Sequence, residues 1–126
     1  MRTLVQGHIK DFAPSFNGYL DESGVLVIGE KGDLTLTVDT GFSGGIALPG
    51  EVLSEMEVDF LAYDTFSLAT GEVIELPVCL GAVRLGNCRI ETWFIPGDSL
   101  LGMEFLSSAG SLLSLNFKES IVKLSG

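Results

Sequence analysis

The sequence has few basic residues, a single histidine and no long apolar run. Seven Lys and Arg stand against 17 Asp and Glu, which gives the 126 residues a formal net charge of −10. Proteins that bind nucleic acid neutralise phosphates with clustered Lys and Arg, so nucleic acid is not an expected partner. No stretch approaches the ~20 apolar residues of a membrane-spanning helix. An acidic chain is also not attracted to an anionic membrane surface, so no membrane partner is expected.

Metal ligands are equally scarce. Two cysteines, Cys79 and Cys88, and one histidine, His8, do not supply the ligand set of a zinc site, so neither a metal nor another cofactor is expected. A hairpin that turns at Gly86-Asn87 would place the two cysteines at different distances from the turn, and therefore not opposite each other. We expect two reduced, half-buried thiols rather than a disulfide.

The first twelve residues, MRTLVQGHIKDF, lack the continuous apolar core of a secretory signal peptide, because polar residues such as Arg2 and Lys10 interrupt them. A cytoplasmic location is the resulting expectation. The composition, 46% hydrophobic and 19% charged, is that of a folded protein rather than a disordered one. The length fits a single domain over residues 1–126.

Short β-rich segments make up most of the sequence. GVLVIG (24–29) and LTLTV (34–38) are separated by the polar turn Glu30-Lys31-Gly32-Asp33. LTLTV alternates strictly, with its leucines and valine on one face and its threonines on the other. Further strands are predicted at 58–62, 72–80, 82–85, 89–95, 112–117 and 120–124. The pattern predicts a small all-β fold, either a closed barrel or a sandwich.

Only two segments have a helical pattern. Residues 49–56 begin with a proline near the first turn, and residues 101–110 are the stronger candidate because Gly110 suits a helix C-terminus. On the 89–95 strand, Trp93 and Phe94 are both expected in the core, where large aromatic side chains are usually buried.

A glycine-rich turn around an aspartate follows the 34–38 strand. Residues 38–50 read VDTGFSGGIALPG. The carboxylate of Asp39 can accept hydrogen bonds from backbone N–H groups of this turn, because glycine lets the chain pass close by. Thr40 adds a hydroxyl that can bond to another copy of the same loop, and Gly44-Gly45 lengthen its mobile part. The pattern indicates a rigidly held carboxylate.

This loop resembles the Asp-Thr/Ser-Gly active-site loop of the aspartic proteases, of the pepsin and retroviral protease type. In that family two apolar residues and a glycine open a short C-terminal helix and pack against the active-site loop, and Leu100-Leu101-Gly102 occupies that place here. The family has a β-hairpin flap in between, and the turn at 69–72 matches its position. Because Phe42 follows the triplet, the chain resembles the small retropepsin-like proteases of archaea and bacteria, over residues 24–124.

The resemblance implies a closed β-barrel of the retropepsin type with one short C-terminal helix, and an aspartic endopeptidase that acts on extended peptide or protein substrates as a homodimer. Two carboxylates must face each other across a water, and this chain supplies only Asp39, so one would come from each copy. Like charges ~3 Å apart cannot both ionise, so the pair would share a proton. The ionised carboxylate would act as general base on the water, and the protonated one as general acid. Supporting roles in the loop fall to Thr40, Gly41 and Ser43, whose hydroxyl would bond near the outer carboxylate oxygen.

The implied flap covers about residues 63–75 and would close over the substrate, bonding its backbone as an added strand does. Its residues that would contact the substrate are Tyr63, Phe66, Leu68, Thr70 and Gly71, with an ordinary hairpin as the competing interpretation. Retroviral relatives use a C-terminal strand in the dimer sheet, a role that would fall to 120–124. The alternative function is a retropepsin-like domain that dimerises or binds peptides without cleaving them.

Overall fold

Eleven strands and two short helices form the fold of this computed structural model, which describes residues 1–126. Strands take up 57% of the chain and helices 9%, which confirms the all-β class. The elements in chain order are β1 Thr3–Lys10, β2 Ala13–Leu20, β3 Leu26–Gly29, β4 Leu34–Val38, β5 Ile46–Leu48, α1 Gly50–Leu53, β6 Val58–Ser67, β7 Val73–Leu85, β8 Cys88–Pro96, β9 Leu100–Leu101, α2 Met103–Ala109, β10 Leu112–Asn116 and β11 Ile121–Ser125.

Seven of the strands close on themselves into a barrel. Their hydrogen-bonded order is β2-β3-β7-β8-β5-β9-β4, and β4 pairs back onto β2. Closure removes the free edges of these strands, which confirms the expected closed barrel. The other strands extend outward from the ring: β6 pairs only with β7, and β1, β11 and β10 continue the sheet from β2 so that β10 is its edge.

The barrel interior is filled by side chains that alternate along the strands. On β4, Leu36 and Val38 are buried while Thr35 is exposed, as the alternation of LTLTV predicted. The largest fully buried side chains are Phe16, Phe94 and Phe105, from β2, β8 and α2. Burial of a ring of this kind contributes about 1.5–3 kcal/mol to folding, so these three rings tie both sides of the barrel and α2 to one core.

The first two strands were missed by the sequence prediction, which placed no strand before residue 24. Glycine and proline inside β1 and β2 hid them, because both residues are rare in strand interiors. The fold needs a glycine at Gly7, where an added Cβ would meet the carbonyl oxygen of Ser15 and the ring of Phe16. The two strands pair from His8 with Ser15 onward, so their backbones approach closely at this point.

Two helices are present instead of the single one that the resemblance implied. The 49–56 segment contains α1, of four residues, and α2 begins at Met103 because Leu101 belongs to β9. Gly110 does end α2, but with an extended backbone (φ −145°) rather than a left-handed one. Neither helix has the length and apolar content required to cross a bilayer.

The β7–β8 hairpin has the predicted register. Cys88 pairs with Leu85 and Cys79 with Phe94, which separates the two cysteines, and both thiols are free. Cys79 is half-buried, and burial raises the pKa of its thiol above the ordinary value. Cys88 is exposed, so the expectation of a half-buried thiol is wrong at this position.

The expectation that Trp93 and Phe94 are both core residues is wrong for Trp93. Phe94 is fully buried, whereas Trp93 is 44% exposed. Successive side chains of a strand point to opposite faces. Since Phe94 points into the barrel, Trp93 points out of it.

Substitution of these two neighbours tests which face of β8 points into the barrel. Phe94→Ala should lower the free energy of unfolding by about 3–5 kcal/mol, because it empties space in a closed core. Trp93→Ala is the matched control and should lower it less than half as much, since that ring is already partly in water. Urea denaturation of both variants measures the difference, and equal losses would contradict the assigned faces of β8.

Candidate active site

Asp39 lies where β4 leaves the barrel. The short strand β9 is inserted between β4 and β5: it runs parallel to β4, with Val38 opposite Leu101, and antiparallel to β5, with Ile46 opposite Leu101. The loop that joins β4 to β5 must therefore pass over the end of β9. This crossing brings the Asp-Thr-Gly segment against the Leu100-Leu101-Gly102 segment, a contact that the family resemblance implied.

Backbone groups hold the Asp39 carboxylate in place. The N–H of Gly41 donates to Asp39 Oδ1 at 2.9 Å, and the N–H of Phe42 donates to the Asp39 carbonyl oxygen at 3.1 Å, which closes a tight turn. The Asp39 N–H itself donates to the carbonyl oxygen of Leu101 at 3.0 Å. The side chain is half-buried, and its second oxygen has no hydrogen-bond partner within the chain. The turn thus presents one carboxylate oxygen that remains free to bond outside the chain.

The start of α2 is bonded directly to the same loop. Gly102 N–H donates to the Gly45 carbonyl oxygen at 2.7 Å, Met103 N–H to that of Phe42 at 2.8 Å, and Glu104 N–H to that of Gly44 at 3.1 Å. Gly45 is also buried. The expectation that Gly44-Gly45 lengthen a mobile stretch is therefore wrong, because both carbonyl groups are fixed by these bonds.

Gly102 is required by this packing. It is buried, and an added Cβ would collide with the carbonyl oxygen of Gly44. A side chain at this position would force the helix and the loop apart, so the three hydrogen bonds exist only because residue 102 has none.

The two hydroxyl residues of the loop differ from their expected roles within one copy. Thr40 and Ser43 are both exposed, and neither hydroxyl takes part in a hydrogen bond within the chain. The expected bond from Ser43 to the outer oxygen of Asp39 is therefore absent. The free hydroxyl of Thr40 is compatible with a bond to a second copy.

The predicted flap is a real hairpin, and it is longer than 63–75. It comprises β6 and the first half of β7, paired from Val58 with Gly81 to Ser67 with Val73, with a bulge at Leu61. At its tip the N–H of Leu68 donates to the Glu72 carbonyl oxygen at 2.8 Å. The other predicted tip residues stabilise the same turn: Gly71 has φ +88° and donates to the Leu68 carbonyl oxygen at 2.9 Å, and Thr70 Oγ1 accepts from Glu72 N–H at 3.4 Å.

A largely apolar groove of about 480 Å³ lies between the loop and the hairpin. Its walls come from Phe42, Gly44 and Gly45 of the loop, Ile46 of β5, Leu61 to Asp64 and Phe66 of β6, Val78 of β7, Trp93 and Ile95 of β8, and Glu104 of α2. Two of the predicted flap contacts, Tyr63 and Phe66, line it, whereas Leu68, Thr70 and Gly71 lie at the tip and do not. Asp39 is not part of the lining within one copy; the groove begins at Phe42.

Several groove residues were not predicted from the sequence. Trp93 and Phe94 are neighbours on β8, so strand alternation alone was enough to assign their side chains to opposite faces. No comparable signal identified Asp64 and Glu104, whose positions beside the groove depend on the β6 bulge and on the docking of α2. Comparisons with family models, curated proteins and solved structures find no match to this chain.

The contact between α2 and the loop can be tested at its tightest point. Gly102→Ala should lower the free energy of unfolding by about 1–3 kcal/mol, because the new methyl group overlaps backbone. Gly50→Ala is the matched control: nothing lies within 4 Å of an added Cβ there, and the change should be neutral or stabilise by up to about 1 kcal/mol. Denaturant unfolding compares the variants, and a fully stable Gly102→Ala protein would contradict the described packing.

Proposed function

We propose that the protein is an aspartic endopeptidase that acts as a homodimer, with Asp39 of both copies in the catalytic centre. The observation that carries this proposal is the Asp39 carboxylate itself, fixed by the Gly41 N–H and by the bond of its own N–H to Leu101, with one oxygen left free. Rigid placement of an acid with an unused oxygen is what general acid–base chemistry on water requires.

In the proposed reaction the two carboxylates share one proton. The ionised Asp39 removes a proton from the trapped water, whose oxygen attacks the carbonyl carbon of the peptide. The protonated Asp39 of the other copy donates to the carbonyl oxygen, which gives a gem-diol that is not bonded to the enzyme. The first Asp39 then donates its new proton to the amide nitrogen as the C–N bond breaks, and the other Asp39 takes a proton from a gem-diol hydroxyl, so that the amine and the acid leave and the pair again holds one proton. The hairpin of β6 and β7 binds the substrate backbone and excludes bulk water.

The edge strand β10 is the surface that we assign to dimerisation. The resemblance implied the 120–124 strand, but β11 is paired on both sides, with β1 and with β10. β10 has a free edge, and it carries exposed apolar side chains at Leu112 and Leu115. Exposed strand edges of this kind readily pair with another chain.

The distribution of charge along the sequence also supports β10 as the dimer surface. Two copies of a chain with net charge −10 repel each other, so a dimer interface between them needs a surface without charge. Residues 105–117 contain no ionisable side chain and form the longest uncharged stretch of the sequence. They include β10 and most of α2, whose first residue is bonded to the Asp39 loop.

One observation favours the alternative of peptide binding without cleavage. The groove, which has the size and apolar lining of a ligand site, does not include Asp39 in a single copy. A groove that is complete without the acid can bind a peptide whether or not the acid is used.

Substitution of the acid tests the proposed reaction. Asp39→Asn should fold and dimerise normally but lose at least about 10²–10⁴-fold in peptide cleavage, because the amide cannot exchange the proton. Asp33→Asn, at an exposed turn, removes the same charge and should leave cleavage unchanged. Cleavage of a fluorogenic peptide library measures both, and full activity of Asp39→Asn would rule out the proposed reaction.

A charge placed on β10 tests the dimer surface. Leu115→Glu should shift the protein to monomer in sedimentation and abolish cleavage, since two like charges would meet across the paired edges. Tyr19→Glu is matched in exposure, 42% against 41%, and should remain dimeric. A dimeric Leu115→Glu protein would show that β10 is not the interface, whereas a strictly monomeric wild type would contradict the protease proposal itself.

A further inference from the structure

Basic residues are absent from the part of the chain that forms the candidate site. Between Lys31 and Arg84 the sequence contains no Lys, Arg or His, and it contains nine Asp and Glu. This segment includes the Asp39 loop and nearly all of the β6–β7 hairpin. The net charge of −10 is therefore not spread evenly: Arg89 lies beside Glu57 and Asp59 at the base of the hairpin, but no cation lines the groove itself.

The side chains that line the groove show the same excess of acidic over basic residues. Its walls are largely apolar, and the only charged side chains that line it are Asp64 and Glu104. Both are exposed, and neither forms an ion pair, since the single ion pair of the chain joins Arg84 to Asp21 at 3.4 Å. One oxygen of Asp64 accepts the N–H of Thr65 at 2.8 Å, which leaves the other oxygen free.

The apolar walls and the unpaired carboxylates of the groove indicate the chemistry of a ligand that would fit it. We infer that the groove binds a peptide segment in which an apolar side chain is flanked by Lys or Arg. The apolar side chain would be buried between Phe42, Ile95 and Trp93, and the cations would meet Asp64 on the hairpin and Glu104 on α2. A cleft lined by charge of one sign concentrates ligands of the opposite sign and repels those of the same sign. The exposed ring of Trp93 adds a surface on which a cation can stack.

This inference concerns the binding step of the proposed function, and it holds for a peptide-binding domain as well. It excludes acidic peptides, whose side chains would meet two carboxylates with no counter-ion. It also assigns specificity to two residues, one on each side of the groove, that have no role in the chemistry at Asp39.

Trp93 supplies a readout that does not require cleavage. It is the only tryptophan of the chain and lines the groove, so its fluorescence should change when a peptide binds. Titrations use the full-length Asp39→Asn protein, which prevents turnover, and three peptides that differ only in the flanking residues: Lys, Gln or Glu around a central Leu-Phe. We expect the Lys peptide to bind about 2- to 5-fold more tightly than the Gln peptide for each exposed charge pair formed, and the Glu peptide to bind most weakly.

The charge variants locate the effect. Asp64→Asn combined with Glu104→Gln should abolish the preference for the Lys peptide over the Gln peptide. Asp33→Asn combined with Glu51→Gln removes the same net charge at exposed positions outside the groove and should keep the preference. Salt of about 0.5 M should weaken the preference in the parent protein, because exposed charges are screened at that ionic strength.

The outcomes separate this inference from the proposed function. Equal binding of the Lys and Gln peptides, or an unchanged preference in the Asp64→Asn/Glu104→Gln protein, overturns the inference even if the wild type cleaves peptides. A clear preference in binding, together with a wild type that cleaves none of the three peptides, supports the inference and counts against the protease proposal. Cleavage of the Lys peptide ahead of the others by the wild type supports both.

Discussion

Three backbone hydrogen bonds between the start of α2 and the Asp39 loop are the constraint on which the candidate site depends. They join Gly102, Met103 and Glu104 to the carbonyl groups of Gly45, Phe42 and Gly44, and each one fixes both the loop and the helix. They are possible because residue 102 lacks a side chain. The same contact positions Asp39 through Leu101, brings Glu104 to the groove, and directs the chain toward β10. The Asp39 carboxylate, the groove charge and the proposed dimer edge are therefore set by one local packing arrangement.

The closed barrel and the strands that extend from it have different structural roles. Closure of seven strands gives the loop a rigid base, since a closed ring has no edge that can fray or pair with another chain. The β6–β7 hairpin projects from this ring and forms one wall of the groove. The β1-β11-β10 extension leaves the ring at β2, which is separated from β7 by β3, and ends in the uncharged edge. The proposed substrate contact and the proposed self-association would thus use different extensions of one core, so a change in one need not disturb the other.

The residue pattern of the sequence predicted those parts of the fold in which the strand or turn propensity of a segment agrees with the way the segment packs in the folded chain. The alternation of β4, the β7–β8 register and the Asp39 turn all follow from residues close in sequence, and the structure contains them. β1 and β2 were missed because Gly7 is needed for close approach of two backbones, a tertiary demand that contradicts strand propensity. The groove carboxylates Asp64 and Glu104 were not predicted because they are forty residues apart and meet only after α2 docks on the loop. Sequence reasoning predicted a held carboxylate at Asp39 and the segment that contacts its loop, and left the groove around them unassigned.

Recognition and chemistry are separable in this architecture. The groove is complete within one copy, whereas Asp39 has a free oxygen, Thr40 a free hydroxyl, and the chain no second acid in the loop to share a proton. Under the proposed function, binding would therefore depend on the monomer fold, and hydrolysis additionally on the proposed two-fold assembly. At concentrations below the dissociation constant of the dimer, such a protein would bind peptides without cleaving them, because the groove is present and the carboxylate pair is not. Its specific activity would then rise with its own concentration while its affinity for peptide stayed constant, a combination that neither a monomeric enzyme nor a simple binding domain shows.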